Sequence, residues 1–111
     1  MPATYDDAGL LMQIVSWGTE MGIDDAGQAI FANDFDAKLA TVNDLPVGKM
    51  LSFFETIATL VKHGVLDKEL VLDLFWISGT WARVGPAALR ERERIGEPRL
   101  YENYEALAKG E

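Results

Sequence analysis

A chain of 111 residues with 49% hydrophobic and 25% charged content is one globular domain by size, residues 1–111, and is too rich in aromatic and branched side chains to stay disordered. Its net charge of −8 argues against nucleic-acid and anionic-membrane partners, whose phosphates are held mainly by Lys and Arg. The absence of cysteine excludes a disulfide framework, a thiol nucleophile and a thiolate metal site, and suits a reducing cytoplasm.

The charge is unevenly spread. Residues 1–37 hold seven acids and no Lys or Arg, whereas residues 38–111 hold eleven acids and all ten bases. The opening segment MPATYDDAGLLMQIVSWGTE has acids where an export signal needs a basic region. No window reaches the run of about 20 apolar residues that a spanning helix requires. The expectation is a cytoplasmic protein without membrane insertion.

In chain order, residues 6–21 put Leu11, Ile14, Val15, Gly18 and Met21 on one helical face. Asp24 suits the N-cap of a short helix running to about Ala32, and Phe35, Leu39 and Val42 suggest another. Residues 46–63 give the clearest pattern: at about 100° per residue, Val47, Met50, Leu51, Phe54, Ile57, Ala58 and Val61 form one stripe. Pro46 fits the first turn of that helix, and Gly64 the left-handed position just past its end.

Asp67 is a natural N-cap for a helix over 67–84, with Leu70, Leu74, Ile77, Trp81 and Val84 in its main stripe, until Gly85 and Pro86 break or kink it. Residues 86–95 and 98–109 read as two more helices, the last carrying Leu100, Tyr104, Leu107 and Ala108 inward. No segment alternates with a period of two, so the predicted fold is all-α, a single compact bundle of about six or seven helices without a sheet.

Sites of chemistry are scarce. His63, the lone histidine, falls on the polar face at a helix end. Asp34 and Asp36 imitate the start of a calcium loop, but Leu39 stands where that loop needs glycine. The doublets Asp6-Asp7 and Asp24-Asp25 sit at helix starts, where acids complement the dipole. Ser16 and Ser78 lack a nucleophile elbow, and no phosphate-binding glycine loop is present. No catalytic residue, metal or cofactor is expected.

The tryptophans raise a sharper question. On a continuous helix over 67–84, Trp81 is core, whereas Trp76 lies with Leu72 and Gly79 on the side opposite the main stripe. A helix apolar nearly all round is either central in its domain or shared with a partner. Leu72, Trp76, Gly79 and Arg83 are therefore the candidate partner interface, with burial inside the monomer the other reading of Trp76. Gly79 would let a second backbone come close.

The run RERERIGEPR permits i,i+3 pairs of Arg90 with Glu93 and of Glu91 with Arg94. Arg90, Arg92 and Arg94 also form a candidate surface complementary to the acidic first third, within one chain or between two.

The Phe-Phe-Glu at 53–55, Leu-Val-Lys-His-Gly at 60–64, Asp67 through Phe75, Trp81, Arg90 and Leu-Tyr-Glu-Asn-Tyr at 100–104 resemble the bacterial and archaeal family catalogued as domain of unknown function 4760. The resemblance covers about residues 45–109 and rests on helix-packing patterns. It implies a helical domain and brings no established activity or catalytic residue. Some relatives carry a membrane-spanning helix ahead of the domain, and this chain departs from them. The function expected is protein–protein interaction or assembly, through a protein partner or a homodimer. The alternatives are a small-molecule pocket between helices lined by Trp17, Trp76 or Trp81, and a carboxylate-dependent enzyme.

Overall fold

The computed structural model describes residues 3–110, and in them the chain forms six helices: α1 (Tyr5–Met21), α2 (Ile23–Ile30), α3 (Leu45–Lys62), α4 (Lys68–Leu74), α5 (Ile77–Ile95) and α6 (Glu102–Ala108). Among the described residues there is no strand. The all-α expectation therefore holds, at the lower of the two helix counts.

Helix α3 is the centre, with α2, α5 and α6 packed around it. The predicted stripe from Val47 to Ala58 is buried, and Phe53, which lies outside that stripe, is buried with it. Phe53 is covered because α3 meets neighbours on more than one side. Its ring lies 5.1 Å from that of Trp17 on α1 and makes edge contact with Phe75. Pro46 occupies the first turn of α3, and Gly64 follows its end with φ 73°, both as the sequence suggests.

Helix α1 opens on a capping box: Thr4 Oγ1 accepts from Asp7 N and Asp7 Oδ2 accepts from Thr4 N. These hydrogen bonds, the Thr4 backbone N–H foremost, hold the Asp7 carboxyl below its usual range. Gly22, at φ 78°, ends α1 and starts α2 in a single residue. The cap of α2 is thus Gly22 rather than Asp24, and Asp24 and Asp25 sit in its first turn.

Three predicted boundaries move. The helix inferred from Phe35, Leu39 and Val42 is absent: residues 31–44 form turns, and Leu39 is exposed. Short polar side chains compete for the backbone there, with Asp36 accepting from Lys38 N and Asp44 from Thr41 N. The helix predicted over 98–109 starts only at Glu102, after Tyr101 in the left-handed region with φ 58°.

The third correction matters most. The segment 67–84 is not one helix: α4 stops at Leu74, Phe75 is extended, and α5 starts at Ile77 and runs on through Gly85 and Pro86 to Ile95. Phe75 leaves the helical path and sets its ring edge-on against both Phe53 and Phe54. Pro86 removes only the hydrogen bond to the carbonyl of Ala82, an exposed residue.

Helix α6 is tied to both long helices. Glu55 of α3 accepts from Tyr104 N (2.9 Å) and Asn103 Nδ2 (2.8 Å), so a carboxylate 49 residues away serves as its N-terminal cap. The Tyr104 side chain is fully buried, between Phe54 and Trp81. Thr80 Oγ1 gives its proton to the carbonyl of Ile77, so the Tyr104 hydroxyl donates to Thr80. Burial raises the Tyr104 hydroxyl well above the ordinary phenol range.

Tyr104→Phe removes that donor and should lower unfolding free energy by about 1–2 kcal/mol in denaturant titrations, with the helical circular-dichroism spectrum intact. Because the folded phenol holds its proton more tightly than the unfolded one, its contribution is full below the unfolded pKa of about 10 and fades as pH rises beyond it. The wild type should accordingly lose stability on the alkaline side more steeply than Tyr104→Phe.

Candidate functional site

The break between α4 and α5 puts Trp76 on the surface, 67% exposed. It is not core, because at Phe75 the helical phase that would carry it round the axis is lost. Its indole nonetheless has partners. It stacks on Phe31, at the end of α2, with ring centroids 5.5 Å apart and planes within 6°. The Arg83 guanidinium lies 5.3 Å from the Phe31 centroid, within cation–π range.

Gly79 has a different role from the expected one. A Cβ there would stand 2.1 Å from the Trp76 ring, so the space left by its missing side chain is filled by the indole of the same chain, not by a second backbone. The geometry brings together Trp76, Gly79 and Arg83 of the predicted interface and adds Phe31, which sequence reasoning missed. Leu72 is exposed on α4, as is Leu74. Phe31 lies 45 residues before Trp76 and just past the end of its own helix, so no periodic pattern linked the two.

The remaining tryptophans are engaged elsewhere. Trp17 packs on Phe53, and Trp81 makes edge contact with Tyr104 while covering Gly85. Each indole has its own aromatic partner. A groove of about 700 Å³ between the end of α3 and α6 is lined by Ala58, Val61, Lys62, Lys68, Leu107 and Lys109 among others, and by no tryptophan.

Arg90, Arg92 and Arg94 diverge. Arg90 donates to the carbonyls of Ala37 and Ala40, pinning the 31–44 segment to α5. Arg92 donates to Leu100 O and pairs with Glu105 at 2.9 Å, and Arg94 pairs with Glu91 on its own helix. The Arg94 hydrogen bond lowers the Glu91 carboxyl, and those of Lys109 and Arg92 lower Glu105. Of the two expected i,i+3 pairs, Glu91–Arg94 forms, while Arg90 reaches backbone instead of Glu93.

All four ion pairs among the described residues lie within 91–109, and no acid of the first 37 residues takes part in one. Among the described residues no three of His, Asp and Glu gather as metal ligands. His63 caps α3 and is exposed. No helix of the described residues is long and apolar enough to cross a membrane.

The stacked pair Phe31–Trp76 thus joins the end of α2 to the start of α5. The family model described as Domain of unknown function (DUF4760) matches residues 22–110. The chain belongs to this family. Comparison with curated proteins and with solved structures gives no match. The DUF4760 region takes in α2 through α6, a wider span than the motifs in 45–109, and α1 lies ahead of it.

The Trp76 seat can be tested directly. Gly79→Ala should displace the indole from Phe31 and change the tryptophan emission, while the helix signal stays within error, since Ala is the better helix former. An unchanged emission spectrum would show that the ring has room the geometry denies.

Proposed function

We propose that this domain acts by binding protein rather than by catalysis, and that the Trp76 surface joins two copies of the chain. One observation carries the reading: Trp76 is largely exposed yet stacked on Phe31 and seated over Gly79. Tryptophan and arginine are over-represented among the residues that dominate binding energy. An indole already packed on other groups loses less freedom on docking than a free one. Exposed Leu72 and Leu74 extend the apolar character of α4.

Charge supports a second copy at this surface. Of the residues that form it, Phe31, Leu72, Trp76, Gly79 and Arg83, only Arg83 carries a charge, so two such faces repel weakly. The absence of cysteine fits a reducing compartment such as the cytoplasm.

Light scattering or sedimentation over a concentration series tests the proposal. The wild type should show mass rising toward a dimer, and Trp76→Glu should remain a monomer with an unchanged helix spectrum. Phe31→Ala should weaken the dimer by roughly tenfold or more, the scale expected when an aromatic anchor is truncated. A wild type that stays monomeric at high concentration overturns the assembly reading.

A further inference from the structure

The groove between the end of α3, the start of α4 and helix α6 has a volume of about 700 Å³, within the range of small-ligand clefts. Ala58, Val61, Ala106 and Leu107 give it an apolar lining, and the two alanines, one on each of the packed helices α3 and α6, end at the β-carbon and leave the space open. Three of the chain's five lysines, Lys62, Lys68 and Lys109, line it as well. The helix dipole accounts for Lys62 and Lys109, which stand at the C-terminal ends of α3 and α6. It does not account for Lys68, which is half-buried and opens α4, where a cation is disfavoured.

The acids of the groove already have partners. Glu102 pairs with Arg99, and Glu105 with both Arg92 and Lys109. Lys62 acts on Glu102 only from beyond ion-pair distance. Lys62 and Lys68 therefore form no ion pair among the described residues. Two ammonium groups from different helices line one partly apolar space, in a chain whose net charge is −8.

We infer that this groove binds a small organic anion, a carboxylate carried on a short hydrocarbon body. Lys62 and Lys68 take the carboxylate, and the seam of Ala58, Val61, Ala106 and Leu107 takes the hydrocarbon. Charge also limits the occupant's size. A polyanion such as nucleic acid, or an anionic bilayer, would meet the field of the whole acidic chain, whereas a ligand inside the groove feels chiefly the charges within a Debye length, roughly 8–10 Å. The site holds no tryptophan and shares no residue with the Trp76 surface.

Octanoate titrated into the full chain, followed by amide chemical shifts and calorimetry, tests the site. Acetate, which lacks the hydrocarbon body, and octylamine, which reverses the charge, are the controls. Saturable octanoate binding is expected, with shifts concentrated in residues 58–68 and 98–109 and affinity falling as salt is added. Acetate should bind at least about tenfold more weakly, and octylamine should leave these residues unshifted.

Lys62→Gln and Lys68→Gln should each weaken octanoate binding about threefold or more, the scale of one partly exposed charge contact. Ala106→Leu, at a half-buried position, fills the space without altering any charge and should abolish binding with the helix spectrum intact. Should that variant fail to fold, the double lysine variant decides. Trp76→Glu should bind octanoate like the wild type, which separates this groove from the self-association proposed above. Octylamine binding at the same residues, octanoate shifts that spread over the surface without saturating, or wild-type affinity in the double lysine variant would overturn the proposal.

Discussion

A phenol buried without contact to water must find a partner for its hydroxyl, and Tyr104 finds one in Thr80 on α5 while its backbone N–H goes to Glu55 on α3. This double tether fixes α6, seven residues long and too short to persist alone. Asn103 bonds Glu55 and Thr59 as well, so the first turn of α6 is held by side chains of α3 on two adjacent residues. The same ring supports Trp81, which lies over Gly85. Side chains in the middle of α5 are therefore set by the burial of one tyrosine.

Glycine recurs beneath the aromatic side chains. Phe53 sits against Gly18, Trp76 against Gly79 and Trp81 against Gly85. In the two tryptophan cases ring and glycine share a helical segment, three or four residues apart, where side chains naturally lie one above the other. Each glycine leaves a flat place that a planar ring can cover. In a small domain this extends the area buried per aromatic residue, at the expense of helix propensity.

Much of this was legible. The α3 stripe, Pro46, Gly64 and the Asp67 cap express local rules, and the sequence carries them openly. What could not be read is non-local. Nothing at Phe75 or Trp76 signals a break, since neither is a glycine, proline or short polar residue; the helix gives way because Phe75 gains two aromatic contacts in the core. Conversely, Gly85-Pro86 looks like a stop and is not, because α5 is held on both sides of it by packing. The cap of α6 comes from Glu55, and the companion of Trp76 is Phe31, both tens of residues away. Of the candidate interface, the residue types were visible, but their arrangement depended on the break.

Helix α1 is anchored by Leu11, Ile14 and Gly18 in the core, by Trp17 on Phe53, and by a long-range hydrogen bond from Asp67 N to Asp7. Detaching it would uncover the Trp17 side of Phe53 while leaving the Tyr104 tether untouched. Two levels of opening are therefore expected: amide protons of α1 should exchange with solvent through a partial excursion of lower free energy, and those of α3 only when the whole domain unfolds. Anything that settles on α1 acts on the first level alone, slowing exchange there by mass action while the protection of the core stays the same.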